Sequence, residues 1–183
     1  MKSKRANDSG YSGVRFPRQV PMHRRGSKIR YKFNDYFQGF GNVSAVREIF
    51  GSETDEVLRN LQVEFLNVRT DYIWVNDKDG HLIANANYVN HGEKRVIYLD
   101  LIHELVHVKQ FRRGEKLLLT LGNRFEYVNR PTELEAYRYT VKEARKLGMS
   151  DDEIFEYLKV TWLDQEELTQ LARHLRVRVP EHN

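Results

Sequence analysis

The chain has 183 residues, of which 40% are hydrophobic, 31% are charged and none is cysteine. This length and hydrophobic content exclude a disordered chain and predict one domain with its own core. The lack of cysteine excludes disulfide bonds and thiolate metal ligands. We find no apolar run near the ~20 residues of a membrane helix and no signal peptide. We therefore expect a cytoplasmic protein, or a virion-associated one if it is viral, without a membrane partner.

Charge is distributed unevenly along the chain. Residues 1–32 hold ten Lys or Arg and one acid, Asp8, for a net charge of +9, whereas residues 33–183 hold 20 basic and 25 acidic residues, for a net charge of −5. Because this basic stretch also has little periodicity, we predict a flexible N-terminal arm on a folded body. The arm could contact nucleic acid, cover an acidic cleft as a latency segment, or remain a solvated tail. These three alternatives stay open.

The first part of the body shows alternating helix, strand and turn signals. The predicted elements are helices over 43–50 and 52–60, strands over 63–68, 71–75 and 81–89, and turns at 76–80 and 90–93. Two turns at such spacing predict an antiparallel meander. Residues 94–98 form either a last short strand or the start of the next helix.

The sequence His103-Glu104-Leu105-Val106-His107 is a complete H-E-x-x-H motif. On a helix, residues four apart lie on one face, so His103 and His107 can offer two imidazole nitrogens to one cation. Glu104 is then placed to act as general base on a water molecule, as in a zinc peptidase. The apolar neighbours of the motif would bury most of this helix, and a buried polar strip needs partners such as a metal ion. A chance occurrence of the motif is the alternative.

A catalytic zinc site needs a third protein ligand. The extended metzincin motif is excluded, since Gln110 and Arg113 stand where its glycine and third histidine belong. The best remaining candidates lie downstream, where Pro131 and Thr132 predict a helix start with Thr132 as its cap.

Two glutamates, Glu133 and Glu135, lie in the first turn of that predicted helix. Glu133 shares its face with small and semi-apolar residues suited to packing against the motif helix, whereas the face of Glu135 is predicted to be solvated. We therefore favour Glu133 as the third metal ligand and keep Glu135 as the alternative. Further along, capping signals predict helices over about 150–160 and 164–175.

The H-E-L-V-H motif, followed by a helix with E-L-E-A-Y, resembles the gluzincins, zinc peptidases whose third ligand is a glutamate on a separate helix. The small size of the chain is most similar to that of the minigluzincins. Some of these are latent, because a terminal segment blocks their cleft. The resemblance covers roughly residues 60–147. It implies Glu133 as the ligand and places Tyr137 where an Asp or Asn often supports a ligand histidine, so the Tyr137 hydroxyl could supply that hydrogen bond. Tyr127, just before the glutamate helix, is a candidate transition-state donor, with a structural tyrosine as the alternative.

The resemblance further implies a zincin-like α+β fold. In that fold a small antiparallel-containing sheet packs on an active-site helix and a glutamate helix, here followed by extra C-terminal helices. One edge strand would bind an extended substrate backbone, and Leu82–Val89 is the candidate for that strand.

We therefore expect a zinc-dependent metalloendopeptidase, a hydrolase that acts on protein or peptide substrates with Zn²⁺ as cofactor. Two alternatives remain: a non-catalytic zinc-binding protein, or a nucleic-acid-associated protein that keeps the same fold.

Overall fold

The structure is a computed structural model that describes residues 13–69, 72–115 and 127–180. Its strands are β1 (Arg30–Lys32), β2 (Gln62–Leu66), β3 (Ile73–Val75) and β4 (Leu82–Asn85). Its helices are α1 (Phe33–Tyr36), α2 (Ser44–Phe50), α3 (Thr54–Asn60), α4 (Ala86–His91), α5 (Lys94–Arg112), α6 (Pro131–Lys146), α7 (Asp151–Leu158) and α8 (Gln165–His174). The predicted α+β class is confirmed.

The four strands form one mixed sheet in the order β1-β2-β4-β3. β1 pairs with β2 and β3 pairs with β4 in antiparallel fashion, but β2 and β4 run parallel. The predicted hairpin turn at 76–80 is confirmed, because the main-chain N–H of Asn76 donates to the carbonyl oxygen of His81. The predicted antiparallel meander is wrong, since the chain crosses from β2 to the far edge of the sheet before it returns through β4.

The strand predicted over residues 81–89 ends at Asn85, where α4 begins. The side chain of Asn85 accepts hydrogen bonds from the main-chain N–H groups of Asn87 and Tyr88, which makes Asn85 the N-cap of α4. β4 is paired on both sides, so Leu82–Val89 is not the edge strand that we predicted. The edge that adjoins α5 is β3, whose residues 73–75 contact that helix.

The long helix α5 is buried on most sides and packs against α6. Its start at Lys94 shows that residues 94–98 lead straight into the helix. Within the interface, the hydroxyl of Tyr98 donates to Oε1 of Glu143 at 2.7 Å. α6 starts at Pro131 with Arg130 as its N-cap, so the predicted capping by Thr132 is wrong. Proline at this first position has no N–H group to satisfy, which explains why the helix begins there.

Residues 13–32 of the predicted arm contact the body. Val20 is buried, and its main-chain N–H donates to Oδ1 of Asn90 at 2.7 Å. The main chain of His23 pairs with Phe65 and Asn67 beside β2. This part of the arm therefore lies on the side of the sheet opposite β3, while residues 1–12 lie outside the described residues. Arg30 forms an ion pair with Asp79 at 2.7 Å. The other basic residues of this part are exposed, and their contact with nucleic acid stays a prediction: Arg15, Arg18, Arg24, Arg25, Lys28 and Lys32.

The two C-terminal helices begin where they were predicted, and the capping box of α7 was also predicted, whereas that of α8 is seen only in the structure. Ser150 and Glu153 form the box of α7, and Asp164 and Glu167 form that of α8. The connection between these helices passes beside the N-terminal half of α5, where it brings Trp162 to the cleft described below. No helix in the described ranges is long and apolar enough to cross a bilayer.

Candidate metal centre

Three side chains converge at the interface of α5 and α6. His103 and His107 lie one turn apart on α5, and their Nε2 atoms are 3.0 Å from each other. Oε2 of Glu133, in the first turn of α6, lies 3.3 Å from Nε2 of His103 and 3.6 Å from Nε2 of His107. All three residues are buried, and within the described ranges only this group brings three potential ligand atoms within 4.8 Å of one another.

The size of this triangle fits a tetrahedral metal ion. Ligand atoms that lie about 2.0–2.1 Å from a tetrahedral zinc ion are roughly 3.3 Å apart. The three observed separations of 3.0, 3.3 and 3.6 Å are close to that value. Two imidazoles and one carboxylate are also a donor set that zinc prefers. The group can therefore hold a metal ion and leave one coordination position for another ligand.

The electrostatics of the site favour a positive charge between these groups. Burial alone would raise the pKa of Glu133, but the imidazoles of His103 and His107, 3.3 and 3.6 Å from its Oε2 atom, outweigh burial and hold the pKa well below its usual range. Burial lowers the pKa of His103. Burial also acts to lower the pKa of His107, but Glu133 and Glu104 overcome it and raise this pKa to about 9. A cation that displaces the His107 proton would take over the same favourable interactions.

We predict that metal binding at pH 7.5 releases at least about one proton, since metal ligation needs a neutral imidazole. His107 is protonated below a pKa of about 9 in the metal-free site. The number of protons that His107 releases on metal binding therefore falls to zero as the pH rises through that value. Calorimetric titration with zinc in buffers of different ionisation enthalpy measures the number. A buffer-independent enthalpy at pH 7.5 would show that His107 is already neutral.

Gln110 orients His107 and joins the two helices. Its Nε2 group donates to the carbonyl oxygen of Thr132 at 3.0 Å and to Oε2 of Glu135 at 2.8 Å. Its Oε1 atom therefore accepts from Nδ1–H of His107, at 2.8 Å. This bond fixes the His107 tautomer that leaves Nε2 free to bind a metal ion.

We expect Gln110→Ala to weaken zinc binding about 10–100-fold, as loss of an outer partner of a metal ligand usually does. Gln110 is fully buried, so the variant should also lose stability. Lys109→Ala is the matched control, because Lys109 also pairs with Glu135 across the helix interface but does not contact His107. Competition with a chromophoric chelator gives both affinities. Equal affinities for the two variants would exclude the orienting role of Gln110.

Glu135, the alternative third ligand, points to a different partner. Its carboxylate accepts from Lys109 and from Gln110, and these bonds tie the start of α6 to the end of α5. The predicted solvated face is largely confirmed, since Arg138 and Lys142 on that face are exposed and Glu135 itself is partly exposed. Because the side chain is engaged away from the two histidines, the geometry supports Glu133 and not Glu135 as the third ligand.

Glu104 lies beside the metal group, on the wall of a small cavity. The cavity has a volume of about 90 Å³ and is also lined by His103 and by Ile73 of the edge strand. Burial raises the pKa of Glu104 to about 8, although the positive charge of His107 and a hydrogen bond from the Val75 backbone oppose the shift. A carboxylate with a raised pKa next to a metal group is suited to accept and return a proton near neutral pH.

Two tyrosines pack on the ligand residues. The Tyr137 ring meets the His103 ring edge to face, with their centres 4.5 Å apart. The hydroxyl groups of Tyr127 and Tyr137 lie 3.2 Å apart, and burial together with Tyr137 and Glu133 raises the pKa of Tyr127. Tyr137 therefore contacts His103 through its ring, whereas Gln110 makes the supporting hydrogen bond to a ligand histidine. Both tyrosines line the small cavity, and donation by Tyr127 to a transition state stays a prediction.

Sequence reasoning missed three features of this site. Gln110 was considered only as the residue that excludes a longer motif, although its position three residues after His107 places it on the same helix face. Asp100 precedes His103 by one turn in the same way and lines the small cavity. Trp162 carries no signal in the sequence, because only the path of the connection after α7 brings it to the cleft.

No protein family, curated protein or solved structure matches the chain.

Proposed function

We propose that this protein is a zinc-dependent metalloendopeptidase of the gluzincin type. The observation that carries the proposal is the buried triangle of His103, His107 and Glu133, with Glu104 beside it at the wall of a cavity. A zinc ion held by these three ligands would polarise both a water molecule and the carbonyl group of a peptide bond. The zincin-like arrangement is part of the proposal and is supported by the packing of α5 against α6 and β3.

Individual residues of the chain would then have separate roles in hydrolysis. Glu104 accepts a proton from the attacking water and passes it to the leaving amine, a role that its raised pKa suits. Gln110 keeps His107 in place. The edge strand β3 offers main-chain groups to an extended substrate, because Ile73 faces the cavity from a strand that, within the described residues, pairs only with β4.

The test is cleavage of casein and of internally quenched peptides by the purified full chain, with one equivalent of zinc and after removal of zinc by a chelator. The proposal predicts cleavage that is lost on chelation and restored by zinc. Zinc bound at one equivalent without cleavage at any pH would contradict it and would favour the non-catalytic alternative.

A further inference from the structure

A second, larger cavity lies beside the small cavity at the metal centre. The larger cavity has a volume of about 560 Å³ and lies between the N-terminal half of α5 and α7. Both cavities have Tyr72, Asp100, Tyr157 and Val160 in their walls, so they adjoin along these residues. A peptide bound at the metal centre would therefore have the larger cavity beside it.

The larger cavity combines apolar walls with an excess of negative charge. Five of its lining residues are acidic and two are basic. Its apolar surface comes from tyrosine rings and aliphatic side chains, among them Val96, Met149 and Val160. The acids are Glu93, Asp100, Asp152, Glu153 and Glu156, and the bases are Arg95 and Lys159.

Ion pairs satisfy only part of this negative charge. Arg95 lies 3.2 Å from Glu93 and 3.1 Å from Glu153, so one cation serves two carboxylates. Lys159 is 3.9 Å from Glu156, and both side chains are more than half exposed, so their attraction is weak. Asp152 pairs with Arg178, again between exposed side chains.

Asp100 is the acidic group closest to the metal centre, because it alone of the five lines both cavities. It accepts hydrogen bonds from the hydroxyl groups of Tyr88, at 2.5 Å, and Tyr157, at 2.9 Å. These neutral donors orient the carboxylate without cancelling its charge. Burial raises the pKa of Asp100 to about 6, so the group is ionised at pH 7.5.

We propose that the larger cavity receives a lysine or arginine side chain of the substrate and that the enzyme prefers peptide bonds next to a basic residue. This inference rests on the proposed peptidase function. A long basic side chain has an aliphatic stem and a cationic head, which match the apolar walls and the carboxylates of Asp100 and Glu156. An acidic side chain in the same place would be repelled.

Exposed aromatic residues at the cleft support a peptide-binding surface there. Four large hydrophobic residues in the described ranges are exposed, and two of them, Tyr72 and Trp162, line the small cavity. Trp162 has an exposed fraction of 54% and packs edge to face on Tyr127, with ring centres 6.1 Å apart. Apolar groups left exposed beside a cavity are typical of ligand contacts.

The test compares quenched peptides that differ only in one residue beside the cleaved bond, which is Lys, Arg, Ala or Glu. On one side of that bond, we expect kcat/KM for Lys or Arg to exceed that for Glu about tenfold, because the carboxylates of the cavity attract the basic side chain and repel the acidic one. Glu156→Lys, an exposed substitution in the last turn of α7, should reduce this preference several-fold. Glu56→Lys is the matched control, since it makes the same charge change on α3, outside the cavity.

The outcomes separate this inference from the proposed function. Cleavage without a charge preference, or equal preferences in the two lysine variants, would overturn the basic pocket and leave the peptidase intact. If the zinc-loaded protein cleaves none of the peptides, the peptidase proposal fails. In that case, binding of the labelled peptides to Glu104→Gln protein, followed by fluorescence anisotropy, still decides whether the cavity selects Lys over Glu. Tighter binding of the Lys peptide supports the pocket, and equal binding overturns it.

Discussion

Replacing Glu104 with glutamine should slow peptide cleavage by about 10²–10⁴-fold while zinc stays bound at one equivalent. General acid–base catalysis contributes about this much to hydrolysis, and the amide cannot accept the proton of the attacking water. The three ligands His103, His107 and Glu133 are unchanged, so metal content should follow the wild type. Steady-state cleavage and metal analysis on the same samples measure both quantities.

A second property of Glu104→Gln distinguishes loss of the base from loss of the fold. The pKa of Glu104 is raised from 4.5 to about 8 in the folded protein, so the ionised carboxyl favours the unfolded chain. This destabilisation begins above pH 4.5 and reaches its full size above pH 8. The metal-free variant should therefore unfold at a higher temperature than the wild type at pH 8, but not at pH 4.

The exposed Glu48→Gln substitution on α2 is the control for Glu104→Gln and should leave activity and zinc content unchanged. Full activity in Glu104→Gln would remove Glu104 from the mechanism.

Substitution of Glu133 by glutamine should reduce zinc affinity more than 100-fold, whereas the same change at Glu135 should reduce it less than tenfold. Glu133 is a proposed ligand, and loss of a ligand costs more than the 10–100-fold loss for an outer partner. In the described part of the chain, the Glu135 carboxylate accepts hydrogen bonds from the outer partner Gln110 and the neighbouring Lys109 and not from a metal ligand. Chelator competition gives the affinities.

The comparison of the two glutamates is matched in chemistry, in volume and in helix. Circular dichroism at the assay temperature verifies that both variants are folded. A greater loss of zinc affinity in Glu135→Gln than in Glu133→Gln would assign the third ligand to Glu135 and contradict the geometry of the site.

The local parts of the candidate site could be predicted from sequence because they depend on helix periodicity. The four-residue spacing of His103 and His107 fixes their common face once the helix is assigned. The small residues that share a face with Glu133 predicted which side of α6 meets α5, and Ala136 and Ala144 are indeed fully buried. The capping box of α7 and the start of α8 could be predicted for the same local reason.

Features that depend on the path of the chain could not be predicted in this way. Residues 82–89 have the composition of one strand, but the side chain of Asn85 bonds to the next turn and starts α4. The parallel pairing of β2 with β4 depends on where the chain crosses the sheet, and alternating residues do not encode that crossing. The role of β3 as the edge beside the cleft follows from the same crossing.

Charge patterning alone also gave an incomplete description of the N-terminal region. The basic composition of residues 1–32 predicted a flexible arm, and the contacts of residues 13–32 with the body come from apolar side chains and main-chain hydrogen bonds. Val20 is buried against the body, and the Phe16 ring packs on Phe37 and Phe40. A short apolar anchor in a basic stretch is easily missed by composition, because the flanking charges remain solvent-exposed.

Anomalous diffraction at the zinc absorption edge, from crystals grown with excess zinc, tests the central claim most directly. We predict one strong peak about 2.0–2.2 Å from Nε2 of His103, Nε2 of His107 and a carboxylate oxygen of Glu133, with a further coordination position towards Glu104. A pocket that stays empty at saturating zinc, or a peak bound by other side chains, would contradict the metal centre and the peptidase built on it.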